Sequence, residues 1–224
     1  MKFPVLSHTF LSSWDNCQFK AYRMYIAKDL PRQAQTKQMR YGNEVHSAFE
    51  SRLKGEGERR GEWRWPEGMK KFETIAAPLV RIGAKAEHAI GIKENGDAVG
   101  FWDDRVYLRG KVDSVAIDGV VAAVFDWKTG KRREDKAELE THAVLIKAHY
   151  PQVKRVIASY VWLQDMEVGK AHDVSHTEAK LAEIRSVANT VRNCMAVGFF
   201  PKRQNGLCGW CPVMDCEFNP KKGK

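Results

Sequence analysis

Gly110-Lys-Val-Asp113-Ser-Val-Ala-Ile-Asp118-Gly119-Val-Val-Ala-Ala-Val-Phe-Asp126-Trp-Lys128-Thr-Gly130 is the stretch that decides the fold. Apolar and β-branched runs flank Asp118-Gly119, a hairpin turn signal, so the stretch reads as two antiparallel strands. A two-residue turn there sets residue 113 opposite 124 and 126 opposite 111. Alternation then puts Asp113, Asp126 and Lys128 on one face, whereas an odd-length turn would separate them. Apolar neighbours on both faces mark a buried central hairpin. Unpaired charges are costly there, and a divalent cation between the carboxylates is a reason to keep them. A buried salt bridge from Lys128 to either aspartate is the plainer alternative, but it needs no second carboxylate.

Context separates this trio from similar triplets. Glu134-Asp135-Lys136 and Glu178-Ala179-Lys180 also read acidic-any-Lys, in a chain with 29% charged residues. Both sit in polar, helix-like sequence and read as solvated faces, while Asp126-Trp-Lys128 ends an apolar strand and runs into Thr129-Gly130.

Cys17, Cys208, Cys211 and Cys216 form a second constellation, one remote cysteine plus Cys-x2-Cys-x4-Cys with a proline after Cys211. Four thiolates suit either Zn²⁺ or an iron–sulfur cluster, both of which take soft sulfur ligands. Zinc sites more often show two Cys-x2-Cys pairs, and one is present. Met1 to Phe10 lacks the apolar core of a signal peptide, so a disulfide framework is the weaker reading. A shared metal centre would clasp the first helix to the C-terminal tail, closing a loop of most of the chain. Cys194 is left over in the helix-like stretch Ala179 to Val197, as a small buried apolar residue.

At 224 residues and 43% hydrophobic, the chain can bury a full core, expected as one α/β domain over 1–224. The longest apolar stretches, such as Val120 to Phe125, are strand-sized, so no membrane span and a cytoplasmic location are expected. A net charge of +9 favours polyanionic partners. No Gly-x4-Gly-Lys-Ser/Thr phosphate loop occurs, so any unwinding would come from a helicase partner.

Ser7 or Thr9 can cap a first helix ending before Pro31, and Thr36 to about Lys54 reads as a second helix carrying His46. Gly55 to Pro66 is a polar break holding Trp63 and Trp65, which either stack on unpaired bases or pack on their own domain. Gly68 to about Ile90 reads as helix, followed by strands near 90–94, 98–102, 106–117 and 120–128. Lys136 to His149 reads as helix, Val153 to Gln164 as strand and 167–175 as a shorter strand. Lys131 and Arg132, just past the hairpin, can hold a phosphate or form a solvated turn.

Gly-x-x-Asp on one strand, then Asp-x-Lys-Thr-Gly on the next, resembles the PD-(D/E)XK nuclease superfamily in its RecB-type branch. His46, in Tyr41-Gly42-Asn43-Glu44-Val45-His46, matches the Gly-x-x-x-His helix motif of that branch. Leu6-Ser7-x-Thr-x-Leu11 through Cys17, and Cys208-Gly-Trp-Cys211-Pro-Val-Met-Asp-Cys216, match its cysteine-bearing members, some of them CRISPR-associated or phage nucleases. The resemblance implies a central mixed β-sheet flanked by helices, with N- and C-terminal segments joined by a cysteine-held [4Fe–4S] cluster. It further implies a Mg²⁺ or Mn²⁺ ion held by His46, Asp113, Asp126 and Trp127, with Lys128 catalytic. Glu138 and His142 stand where the branch carries Gln-x-x-x-Tyr, a motif that contacts DNA near the metal.

The chemistry of the residues agrees with this. Phosphodiester hydrolysis builds negative charge on the attacking and leaving oxygens, which a divalent cation offsets. Asp113 and Asp126 offer hard oxygen ligands, while a His46 nitrogen tilts tolerance toward Mn²⁺. Lys128 would position or polarise the attacking water. The expected activity is that of a metal-dependent deoxyribonuclease, an exonuclease acting on DNA ends in recombination, repair or phage DNA metabolism. The alternatives are an inactive DNA-binding module, a redox-responsive iron–sulfur regulator that binds DNA, and a restriction-type endonuclease.

Overall fold

A computed structural model describes residues 1–31, 34–56, 63–133 and 135–222. The chain divides into two compact units, 35–177 and a terminal unit of 1–34 with 178–224.

The larger unit is built on a seven-stranded sheet. Its strands are β1 (Lys85–Ile92), β2 (Ala98–Gly100), β3 (Leu108–Asp118), β4 (Val121–Lys128), β5 (Arg155–Trp162), β6 (Glu167–Val168) and β7 (His172–Asp173). The order is β2-β1-β3-β4-β5-β6, with β7 also on β5. β4 and β5 are parallel and the other pairs antiparallel, so the sheet is mixed as expected. Before the sheet come α3 (Lys37–Lys54) and α4 (Glu73–Arg81), and α5 (Ala137–His149) makes the β4–β5 crossover that a parallel pair requires. The terminal unit holds α1 (His8–Asn16), α2 (Gln18–Ala21) and nearly all of α6 (Thr177–Val197).

The hairpin forms, with its turn one residue further on than expected. Asp118 pairs with Val121, so the two-residue loop is Gly119-Val120, with Gly119 at φ 53°. Glycine thus takes the first loop position, where a type II′ hairpin needs positive φ, and Asp118 stays in the strand. The register slides by two residues. An even slide keeps each side chain on the face that the expected register gave it.

One apolar cluster fixes α3 and α4 on the sheet. Val45, Ala48 and Phe49 of α3 meet Ala76 and Leu79 of α4, Trp127 of β4 and Val161 of β5. Phe49 stacks on Trp127 with ring centroids 4.6 Å apart. The i, i+3, i+4 spacing of the α3 contacts leaves His46 at the border of the buried stripe, beside the sheet. Thr36 caps α3, its hydroxyl accepting the Met39 N–H at 3.1 Å. Thr36→Ala is expected to cost about 1 kcal/mol in chemical denaturation, a modest loss because the cap is exposed.

The helix read over 68–90 is too long by its last third. After α4, the N–H of Gly83 reaches Val80 O and that of Ala84 reaches Leu79 O, with Gly83 at φ 65°. This paired closure ends the helix, and Lys85 opens β1. The first helix is also shorter than expected. Ser7 caps α1, but Cys17 takes an extended conformation between α1 and α2, and a π-helical turn over Tyr22–Ala27 follows. The strand expected at 167–175 is the two short strands β6 and β7. Part of the polar break, 57–62, lies outside the described residues.

Within the terminal unit, Tyr22 stacks on Phe200 at 4.0 Å and Trp14 meets Phe200 edge-on. Arg23 bridges Asp29 and Asp215, and Asn205 donates to Asn16 O. Among the described residues no helix is long and apolar enough to cross a membrane.

Candidate active site

The β3–β4 ladder stops at Ser114–Phe125, and the pairs just beyond it carry the polar chemistry. Asp113 is 8% exposed, and its Oδ2 accepts the Trp127 N–H at 2.8 Å, a side chain standing in for a ladder carbonyl. Its Oδ1 lies 3.4 Å from His46 Nδ1, and Glu87 Oε1 lies 3.3 Å from the same nitrogen. These three residues offer ligand atoms that all lie within 4.8 Å of one another. Lys111 Nζ holds the other Glu87 oxygen at 3.2 Å. Burial disfavours a charged His46, but ion pairing with Asp113 and Glu87 outweighs it, and the imidazole is pushed up to about 10. The two carboxylates therefore favour positive charge at this point.

Asp126 is 2% exposed and keeps different company. Lys128 Nζ stands 2.6 Å from its Oδ2, an ion pair outside good hydrogen-bond direction, and donates to Glu138 Oε2 of α5 at 2.7 Å. Burial raises the Asp126 carboxyl well above the usual range, with the charges of Asp113 and Glu138 adding to the effect. Lys128 loses from burial and gains more from Asp126 and Glu138, so it stays an ammonium. Asp126, Glu138 and His142 form a second group with ligand atoms within 4.8 Å.

The expected trio is thus divided between two adjoining groups. Asp126 and Lys128 meet as read, while Asp113 joins His46 and Glu87, and among the described residues no such group unites Asp113 with Asp126. The cause lies in β3. Ala116 packs with the α3–α4 cluster, yet a Cβ on Gly110 would meet Leu145 and His142 of α5, so two even-numbered residues face opposite sides. Strict alternation fails between them, and Asp113 sits at the break.

Beside the first group, His46, Glu87, Lys111 and Thr129 line an open groove along α3 of about 570 Å³, with Asn43 and Gln38 about one and two turns before His46. A Cβ on Gly42 would come within 3.2 Å of Thr129 Oγ1, so glycine lets α3 approach the end of β4. Of the residues expected to touch DNA, Glu138 closes on Lys128, His142 is buried and Lys131 is exposed. Arg132 is engaged by Asp165 and Glu167. Trp65 packs on Phe49 and Phe72 and donates to Glu73, with Trp63 edge-on to it, which favours the own-domain reading of both. Glu87 was not singled out from sequence. Its one sequence signal is a carboxylate in the partly apolar run Ala86-Glu-His-Ala-Ile90.

Cys17, Cys208, Cys211 and Cys216 line one pocket of the terminal unit. The extended Cys17 enters from the α1–α2 junction, and the Asn219 side chain ties the carbonyls of Cys211 and Val213 at 3.0 Å each. Among the described residues no three of these sulfurs fall within 4.8 Å of one another. A zinc tetrahedron with bonds of about 2.3 Å would set them roughly 3.8 Å apart. Cys194 stands outside the pocket, its thiol 3.7 Å from Gln18 Oε1.

The family model of the PD-(D/E)XK nuclease superfamily matches residues 5–216. Among solved structures, a protein called SSO0001 is 14% identical with a TM-score of 0.53, the match covering 98% of this chain and 88% of that one. A Eubacterium rectale protein described as a putative exonuclease is 13% identical with a TM-score of 0.54, covering 93% and 87%. At such identities these likenesses show the fold. No curated protein matches the chain.

Proposed function

Since the chain belongs to the PD-(D/E)XK nuclease superfamily, we propose that it hydrolyses phosphodiester bonds of DNA from free ends, with Mg²⁺ or Mn²⁺ as cofactor. The observation that carries this reading is the meeting of His46, Asp113 and Glu87 just past the end of the β3–β4 ladder, with the Asp126–Lys128 pair in the adjoining group. One imidazole and buried carboxylates make a donor set that suits a hard divalent cation, so His46 and Asp113 would hold it, and Asp126 with Trp127 would join them only where the adjoining group closes on the ion. When bound, the cation supplies charge to offset that building on the reacting phosphate.

The protein's own groups have distinct tasks. Lys128, kept cationic between Asp126 and Glu138, sits where it can orient the attacking water and oppose developing negative charge. Asp113, fixed by the Trp127 N–H, keeps one oxygen directed at His46. The groove along α3 gives a strand a path past these groups, and the net charge of +9 favours a polyanion in it. The four cysteines, which line one pocket, are proposed to hold a [4Fe–4S] cluster as a structural clasp, with zinc the alternative. A cytoplasmic role in DNA recombination, repair or phage DNA metabolism, alongside a separate helicase, completes the proposal.

End-labelled linear and circular DNA, single- and double-stranded, tests this directly. Linear DNA is expected to be degraded with Mn²⁺ or Mg²⁺ and preserved with chelator or in Asp113→Asn, while circles stay intact. Cutting of circles would overturn the end-directed reading, and intact DNA in every lane would overturn hydrolysis.

A further inference from the structure

Glu87 has the left-handed backbone conformation, φ 45°, in the middle of β1. Side chains other than glycine seldom adopt it, and it is rarer still inside a strand. The β1–β3 ladder records the departure: Ala86 pairs with Ser114 and His88 with Val112, but no pair joins Glu87 to Asp113 between them. Two facing residues have both left the ladder, and both turn a carboxylate oxygen to the same imidazole nitrogen. An acid needed only to pair with Lys111 could do so from regular strand backbone. Such outliers gather where a site dictates the direction of a side chain.

We infer that Glu87 is a direct ligand of the catalytic cation, beside His46 and Asp113, so that β1 builds the site together with the hairpin. The inference rests on the proposal that the site takes a divalent cation. Distances carry it further. A cation with bonds of about 2.1 Å sets its ligand atoms roughly 3.0 Å apart when adjacent and about 4.2 Å apart when opposed. Glu87 Oε1 and Asp113 Oδ1 stand 3.3 and 3.4 Å from His46 Nδ1, and the three ligand atoms lie within 4.8 Å of one another. The Glu87 oxygens are divided between two tasks: Oε2 takes Lys111 at 3.2 Å, which leaves Oε1 directed at His46. The side chain is 10% exposed, while the groove beside it is open to a phosphate oxygen and water, which can fill further coordination positions.

The test is Mn²⁺ titration of the full chain by calorimetry, with the electron paramagnetic signal of free Mn²⁺ as a second readout. Glu87→Gln is expected to weaken Mn²⁺ binding about a hundredfold, and a substantial further loss should remain when the same change is made in His46→Ala. If the loss disappears in His46→Ala, Glu87 acts only by positioning the imidazole and the inference fails. Unchanged affinity in Glu87→Gln alongside lost affinity in Asp113→Asn would also overturn it, yet leave the nuclease proposal standing. Absence of Mn²⁺ binding by the native chain would overturn both. Circular dichroism of the metal-free variants checks folding. Should Glu87→Gln not fold, Glu87→Asp, which keeps the charge and withdraws the oxygens by one methylene, carries the same expectation.

Discussion

Lys128→Ala should lower metal-dependent cleavage by about a thousandfold, within the range seen when a charge-stabilising or proton-handling group is removed. The same change should destabilise the fold. Lys128 is the cation between Asp126, which is almost wholly buried, and Glu138. Its removal leaves two carboxyl groups facing each other, a loss of about 3 kcal/mol by analogy with other broken buried pairs. The pH dependence has a definite sign. Asp126 already holds its proton more tightly in the folded state than in the unfolded one, and without Lys128 it holds it more tightly still. A carboxyl with a raised folded pKa loses stability as pH rises above its unfolded value, so the variant should be less impaired near pH 5 than near pH 8. Combining Lys128→Met with Asp126→Asn removes both charges and should recover much of the stability but none of the activity. Thermal melts and a cleavage assay on the same samples separate the two effects. Native-like cleavage by folded Lys128→Ala would remove the amine from the mechanism.

Cys211→Ser should abolish a brown colour and the protein's iron content, and it should loosen the terminal unit. The four sulfurs surround one pocket but come from positions far apart in the chain, Cys17 and the 208–216 loop. Closing a loop of that length constrains the unfolded chain by on the order of 5 kcal/mol if a cluster behaves as a covalent crosslink does. For a chain of this size that corresponds to roughly 10 °C in thermal midpoint. Within the larger unit the chemistry should be intact wherever the variant remains folded. Colourless native protein with stoichiometric zinc would overturn the iron–sulfur proposal, and an unchanged midpoint in Cys211→Ser would remove the clasp.

Local signals of known physical meaning were legible in the sequence. Thr36 before an apolar-periodic run located α3 to within a residue, and the paired apolar runs around Asp118-Gly119 located the hairpin. The register was misread because glycine takes the first turn position, an effect of backbone conformation that leaves the parity of the strands intact. What stayed hidden depends on departures from regular geometry. The separation of Asp113 from Asp126 follows from lost alternation in β3, and Glu87 reaches His46 through a backbone angle that no residue pattern announces. Arg132 is similar: its basic neighbours suggested a phosphate, while its acidic partners lie more than thirty residues later. Glu138 was read as a point of DNA contact, and its closeness to Lys128 became visible only once α5 was seen across β4.

Anomalous diffraction from crystals grown with Mn²⁺ tests the central claim most directly. A single peak is predicted within bonding distance of the Asp113 carboxylate and His46 Nδ1, absent from crystals of Asp113→Asn. A map from active native protein with no manganese beside Asp113 would contradict the account, because hydrolysis would then proceed without the cation that these residues are argued to hold.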